Sequence, residues 1–289
     1  MDTFGNIVTA MVTPFDYKGN IDLAKTTQLV EHLIENGSDS LVVAGTTGES
    51  PTLSTEEKIA LFQHVVKVVD GRAKIIAGTG SNNTYASIEL TKRAEKIGVD
   101  GVLLVSPYYN KPNQQGLYEH FKVIADSTTL PVMLYNIPGR TAVTISIDTI
   151  VKLSEIPNIV AIKESTGDIA AATEIISKTD DRFMLYSGDD YMTLPFLSIG
   201  AKGVVSVAAH IIGNEMQEMI TAYQQGEHTK ATQLHQQLMP IMNGLFIAPN
   251  PTPVKTALQM KGMDVGSVRL PLVPLSIEER TTLTNILNQ

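Results

Sequence analysis

Short runs of β-branched and other apolar residues recur along the first three quarters of the chain, and they constrain the fold more than any other feature. Eight such runs lie at residues 7–13, 40–44, 75–78, 101–106, 131–135, 159–162, 183–186 and 203–207. They are continuous rather than alternating, which predicts strands buried on both faces, as in a parallel sheet. A loop rich in Gly, Pro, Ser or Thr and then a helical pattern follow each run. The chain therefore reads as repeated β/α units.

Eight β/α units are the number that closes a TIM barrel. We predict an α/β fold, a (β/α)8 TIM barrel, although periodicity alone leaves a doubly wound open sheet as the alternative. The strand signal stops at Asn214. Helical patterns follow at residues 220–224, 234–246, 253–261 and 277–287. We therefore expect a TIM-barrel catalytic domain at residues 1–225 and a small C-terminal helical extension at residues 226–289.

Composition narrows the class of protein. The chain is 43% hydrophobic and 18% charged, which is normal for a soluble protein. A net charge of −8 without a basic patch argues against nucleic acid as a binding partner. The absence of cysteine excludes disulfides, thiolate zinc sites and cysteine nucleophiles, and it fits the cytoplasm. The first residues carry no basic region, and no apolar stretch approaches the ~20 residues of a membrane span. We expect neither a signal peptide nor a membrane segment.

Lys163 is the sharpest chemical signal. In a parallel barrel the active site lies at the carboxyl ends of the strands, and Lys163 directly follows the apolar run 159–162. Lysine is rarely buried without a partner, and desolvation frees its amine to attack carbonyl carbons. The alternative is a surface pair with Glu164 at a strand end. We favour a Schiff-base nucleophile.

Other polar residues follow neighbouring strands. Tyr109 and Tyr135 could relay protons, or they could be core aromatics with solvated hydroxyls. Thr46 and Thr47, in a glycine-flanked turn, suit an anion such as a carboxylate, but an ordinary β/α turn has the same composition. Arg140 could hold a second carboxylate, or it could be a surface arginine. Each residue alone is ambiguous, but all of them would meet at one mouth.

Metal and nucleotide sites find little support. The six histidines show no ligand spacing, and the adjacent pair Asp189-Asp190 is more typical of a helix cap than of a metal site. No P-loop lysine follows a glycine-rich turn, and Gly78-Thr79-Gly80 lacks the third glycine of a dinucleotide fingerprint. We predict no metal site and no cofactor.

Four motifs together resemble one family. They are Gly45-Thr46-Thr47-Gly48-Glu49, Tyr108-Tyr109-Asn110-Lys111-Pro112, Tyr135-Asn136-Ile137-Pro138-Gly139-Arg140 and Lys163-Glu164. In order and spacing they resemble the dihydrodipicolinate synthase family, which belongs to the N-acetylneuraminate lyase superfamily of class I aldolases. The resemblance covers essentially the whole chain.

The resemblance implies a condensation of pyruvate with L-aspartate 4-semialdehyde in diaminopimelate and lysine biosynthesis. Lys163 would attack the ketone of pyruvate, and the resulting enamine would attack the aldehyde. Tyr135 would be the proton shuttle, and Thr46 would link it to Tyr109. By family analogy, Tyr109 would reach the site of a neighbouring subunit, so the assembly would be a homodimer or a homotetramer built as a dimer of dimers.

The resemblance also implies the binding residues. Thr47 would hold the pyruvate carboxylate and Arg140 the carboxylate of the semialdehyde. Gly188 and Val205 match positions that line the pyruvate pocket mainly through backbone. No cofactor is implied, because the protonated imine is itself the electron sink.

One departure from the family concerns regulation. Members that lysine inhibits strongly carry two histidines where this chain has Thr55 and Lys58, and a glutamate where it has Ala86. Asn82 and Tyr108 of that region remain. We therefore expect weak inhibition by lysine, or none.

Two other functions stay open at this stage. One is another pyruvate-dependent lyase of the same superfamily, such as N-acetylneuraminate lyase or a keto-deoxy-sugar aldolase. Thr47 and Arg140 suit a short carboxylated aldehyde better than a polyol. The other is a non-catalytic barrel that binds a keto acid, against which the retained lysine and tyrosines argue.

Overall fold

Eight parallel strands close a barrel in chain order in the computed structural model, which describes residues 4–288. The strands are β1 (Ile7–Ala10), β2 (Ser40–Val43), β3 (Lys74–Gly78), β4 (Gly101–Val105), β5 (Val132–Asn136), β6 (Ile159–Glu164), β7 (Met184–Ser187) and β8 (Gly203–Ser206). Each strand pairs with the next, and β8 pairs with β1. The predicted TIM barrel is confirmed, and the open sheet is wrong. Residues 1–3 and 289 lie outside the described residues. They are the first residues of the predicted catalytic domain, where we expect no signal peptide, and the last residue of the predicted extension.

Helices follow the strands and cover the barrel. They are α1 (Leu23–Glu35), α2 (Thr55–Val69), α3 (Thr84–Ile97), α4 (Gln114–Ala125), α5 (Pro138–Thr141), α6 (Ile147–Ser154), α7 (Ile169–Lys178), α8 (Thr193–Ser198), α9 (Ala209–Gln224), α10 (His228–Gly244), α11 (Thr252–Met260) and α12 (Ile277–Leu287). Side chains of Asp, Asn or Ser cap the first turn of α1–α4, α6, α7 and α12. Such caps satisfy amide groups that the helix leaves free. None of the helices between residues 4 and 288 is both long and apolar enough to cross a membrane.

The C-terminal helices are present, with α11 and α12 at the predicted positions and α9 and α10 longer than the sequence patterns indicated. Helix α9 begins at Ala209 and α10 at His228, well before the predicted 220–224 and 234–246. Neither helix has a side-chain cap at its start, so the usual boundary signal is missing from the sequence. The domain division that we propose at residue 225 falls in the turn between these helices, where Gly226 has a φ of 81°.

The core has two layers, one inside the barrel and one between the barrel and its helices. The inner layer consists of Phe4, Val8, Ala10, Val42, Ile76, Leu103, Met133, Tyr135, Ala161, Tyr186 and Val205. The hydroxyl of Tyr186 donates to the carbonyl of Gly5 at the amino end of the barrel, 3.0 Å away. The interior is therefore filled with side chains, and a substrate can approach only at a mouth.

Strand β6 extends two residues beyond its apolar run. Lys163 is paired with Tyr135 of β5 and with Tyr186 of β7, so it lies within the ladder rather than after it. Conversely, β1 ends at Ala10, whereas the run continued to residue 13. The apolar pattern reports burial and not hydrogen bonding, which explains both differences.

His210 joins the loops that follow β1 and β8. Its Nε2 accepts the N–H of Val12 at 3.1 Å, and its Nδ1 lies 2.8 Å from the carbonyl of Val207. Because a carbonyl can only accept, Nδ1 carries the hydrogen and the ring is neutral. Burial lowers the pKa of His210 to about 4.

We expect this histidine to make stability fall in acid. The unfolded chain binds the proton below about pH 6.5 and the folded chain only near pH 4, so stability is lost as pH falls through that window. The loss for one such group is at most about 3 kcal/mol. His210→Gln should flatten the pH dependence of the urea midpoint between pH 6.5 and 4, whatever its effect at pH 7. The exposed His228→Gln serves as control, and equal slopes for both variants would contradict the assignment.

Candidate active site

A cleft of about 260 Å³ opens at the carboxyl ends of β2 to β5. It is lined by Thr46, Tyr135 and Arg140, three of the predicted site residues. The structure therefore brings the loops after β2 and β5 to one mouth. Tyr108 lines the same cleft, and so does Lys58 from helix α2.

Lys163 is buried beside this cleft, with 5% of its surface exposed. Its Nζ lies 4.3 Å from the centroid of the Tyr135 ring, close enough for a favourable cation–π contact. The surface pair with Glu164 that the sequence left open is not what the structure has, since both side chains are buried. An amine and a phenol thus face the same space.

Gly188 gives Lys163 its room. A Cβ on this residue would lie 3.0 Å from Cε of Lys163 and only 1.8 Å from Oγ of Ser165. A side chain at position 188 would therefore collide with Ser165 and crowd Lys163. Val205 is fully buried in the inner layer of the barrel.

Two carboxyl groups follow strands near the lysine, Glu164 buried next to it in β6 and Asp189 partly buried after β7. Burial raises the pKa of Glu164, and hydrogen bonds from Thr166 and Asn136 oppose this rise. Nδ2 of Asn136 lies 2.9 Å from Oε2 of Glu164. Burial also raises the pKa of Asp189, and the charge of Lys163 opposes that effect. The amide oxygen of Asn136 accepts the N–H of Ile145 at 3.0 Å, which ties down the loop that carries Arg140.

Thr47 is buried, and it is held by a residue that sequence reasoning missed. Its Oγ1 accepts a hydrogen bond from Nδ2 of Asn250 at 2.9 Å. Nearby, Glu49 forms an ion pair with Lys255 of α11, with 2.6 Å between Oε1 and Nζ. Burial lowers the pKa of Lys255 to about 8, and Glu49 opposes the shift. The sequence contains a signal for this buried lysine. Lys255 lies within an apolar helical pattern, just as Lys163 follows an apolar strand.

Tyr109 does not join the other site residues within one subunit. Its backbone is left-handed, with a φ of 72°, and its side chain is 89% exposed. No hydrogen bond among residues 4–288 joins Thr46 to Tyr135 or to Tyr109. The hydroxyl relay therefore remains a prediction.

Within the described range, no group of three or more His, Asp or Glu side chains is arranged to hold a metal ion. Nearer the rim of the cleft, Nδ2 of Asn82 donates to the carbonyl of Tyr108 at 3.1 Å. Burial lowers the pKa of Lys58. Thr55 and Ala86 are exposed. Of the residues that depart from the lysine-inhibited pattern, only Lys58 therefore lines the cleft.

Comparison with known proteins agrees with this geometry. Residues 3–289 match the dihydrodipicolinate synthetase family. A 4-hydroxy-tetrahydrodipicolinate synthase from Bacillus velezensis is 62% identical over 285 residues, which cover 99% of each chain. A dihydrodipicolinate synthase structure from Bacillus anthracis is 66% identical, with a TM-score of 0.98 over 100% of this chain and 99% of that one. A structure of the enzyme from Cyanidioschyzon merolae with lysine bound is 46% identical, with a TM-score of 0.98 over 99% and 98%. The chain belongs to the dihydrodipicolinate synthetase family.

Proposed function

We propose that the chain condenses pyruvate with L-aspartate 4-semialdehyde to 4-hydroxy-tetrahydrodipicolinate, through a Schiff base on Lys163. One observation carries the proposal: a buried lysine faces a tyrosine at the barrel mouth, in a chain 62% identical over 99% of its length to an enzyme of that name. The absence of cysteine fits a cytoplasmic enzyme of this kind.

The chemistry balances without another reactant. The amine of Lys163 adds to the ketone carbon of pyruvate, and water leaves to give a protonated imine. Loss of a methyl proton gives an enamine, whose carbon forms a bond with the aldehyde carbon of the second substrate. The amino group of that substrate then attacks the imine carbon, closes the ring and releases Lys163.

The flanking residues take the remaining roles. Tyr135 is the proposed acid–base group for the imine and enamine steps. The centroid of its ring lies 4.3 Å from Nζ of Lys163. Thr46 is proposed to connect it to the partner's Tyr109. Thr47 is proposed to bind the pyruvate carboxylate and Arg140 that of the semialdehyde, with Gly188 and Val205 shaping the pyruvate pocket. Two anionic substrates require two such sites.

Replacement of the nucleophile tests the covalent step. Incubation with pyruvate and borohydride should add a reduced pyruvate to Lys163, detectable by peptide mass spectrometry. Lys163→Arg keeps the positive charge but cannot form the imine, so it should lose the adduct and roughly a thousandfold or more of kcat. Lys202→Arg is the control, because Lys202 lies at the opposite end of the barrel. The absence of a pyruvate-dependent adduct on Lys163 of the wild type would refute the mechanism.

The acceptor is tested separately. A coupled assay should give turnover with aspartate semialdehyde and far less with N-acetylmannosamine. The reverse order would favour the neuraminate lyase reaction, and an imine without turnover of either would favour a keto-acid sensor.

The exposure of Tyr109 supports an assembly in which this side chain completes a neighbour's site. We propose a homodimer as the minimum, and a homotetramer as its dimer of dimers. A left-handed, exposed tyrosine in a polar loop has no packing role in its own subunit, whereas at an interface its ring and hydroxyl both find partners.

Mixed subunits provide the test. Lys163→Ala and Tyr109→Phe should each be impaired alone, the second by roughly tenfold or more as for other lost proton relays. Mixed dimers would contain one site with both groups intact. Activity should therefore recover after the two variants are unfolded and refolded together, and no recovery would contradict the shared site.

The rim residues predict the response to lysine. Lys58 places a cationic group in the cleft where inhibited relatives have histidine, and it would repel the amino group of the inhibitor. Initial rates should stay within about twofold up to millimolar lysine. Strong inhibition in that range would contradict this proposal, and Lys58→His is the matched variant expected to increase sensitivity.

A further inference from the structure

A buried ion pair joins the C-terminal extension to the barrel mouth. Lys255 and Glu49 have side chains that are 3% and 1% exposed, with 2.6 Å between Nζ and Oε1. The second carboxylate oxygen accepts the backbone N–H of Arg269 at 2.8 Å. Nζ of Lys255 also donates to the carbonyl of Ser267 at 2.8 Å and lies 4.1 Å from the ring centroid of Phe15. Both charges are thus fixed in position by several partners.

Glu49 itself is held in an unfavourable backbone conformation. Its φ is 58°, in the left-handed region that costs a residue with a side chain on the order of 1 kcal/mol. In this conformation its N–H donates to the carbonyl of Thr46 at 3.0 Å and closes the turn that contains Thr47. The direction of the turn therefore depends on whatever holds Glu49, and that includes Lys255.

Thr47 shows what this turn presents to the cleft. Its Oγ1 accepts from Asn250, so its own O–H donates to none of the groups in residues 4–288. A hydroxyl that already accepts one hydrogen bond has its hydrogen free for an anion. Asn250 comes from the same extension as Lys255, directly before helix α11.

We propose that Lys255 and Glu49 are positioning residues, which hold the Thr46–Glu49 turn so that Thr47 meets the carboxylate of the keto acid. This inference rests on the proposed function, because it assigns that carboxylate to Thr47. It gives the extension a direct part in substrate binding, although the extension carries none of the reacting groups.

Pyruvate trapping separates positioning from stability. Lys255→Gln should raise the pyruvate concentration for half-maximal borohydride trapping on Lys163 by about tenfold or more, because small displacements of binding groups are costly. The yield at saturating pyruvate should stay near that of the wild type, since Lys163 is unchanged. A folded Lys255→Gln protein with wild-type half-saturation would refute the inference and leave the proposed function intact.

Two further variants keep the test sharp. Glu49→Gln combined with Lys255→Gln removes the uncompensated charge that a single change leaves, and it replaces the single variant if that protein does not fold. Its half-saturation should also be raised. Arg269→Gln is the matched control, since it loses the guanidinium bonds to Glu57 and to two carbonyls but keeps the N–H that serves Glu49.

Arg269→Gln should lower the unfolding midpoint and leave the half-saturation within about twofold of the wild type, because positioned hydrogen bonds to Glu49 persist. An equal rise in both variants would overturn the positioning role, since general loosening of the extension would then explain it. No pyruvate adduct on Lys163 of the wild type would instead refute the proposed function.

Discussion

The parallel pairing of β8 with β1 is the contact on which the arrangement of the site depends. Val204 and Val205 pair with Ile7 and Val8, and this closes the ring. All eight strands run in the same direction, so closure brings every loop that follows a strand to one rim. Loops that are far apart in sequence then share one small space. If β8 and β1 did not pair, the strands would form an open sheet and these loops would lie along its edge. No single cleft would then contain Thr46, Tyr135 and Arg140.

The two buried lysines show how one fold treats the same charge in two ways. Lys255 is paired with Glu49 and also donates to a carbonyl, so its amine is committed to the structure. Lys163 has no ion pair with a carboxylate anywhere in residues 4–288, and its Nζ lies over the face of Tyr135. An amine without a committed partner can leave its resting position to form a bond. Burial alone therefore does not distinguish the two lysines, but the presence of an ion pair does.

The sequence predicted the barrel because strands buried on both faces produce continuous apolar runs, a signal that is local. It placed Lys163 for the same reason. The ends of the strands were less accurate, since β6 continues through Lys163 and Glu164, two polar residues that an apolar pattern excludes. Contacts between distant parts of the chain were not predictable at all. Asn250 meets Thr47 across 203 residues, and nothing near either residue encodes that meeting.

Strained backbone conformations are concentrated at the same barrel mouth. Among residues 4–288, six residues other than glycine have a positive φ, and five of them lie in loops that follow β2, β4 and β5. The five are Ala44, Glu49, Tyr109, Lys111 and Ala142. Strained backbone persists only where its surroundings hold it, and its concentration at one rim indicates that contacts there are directed at geometry rather than stability. At Glu49 the holding groups come from the extension. At Tyr109 they come from the neighbouring loop, since Asn82 donates to the carbonyl of Tyr108 and Asn110 donates to the carbonyl of Asn82. The backbone of Tyr109 is thus held within the subunit while its side chain stays exposed, and an exposed ring on a fixed backbone is the physical reason to look for its partner in a second copy.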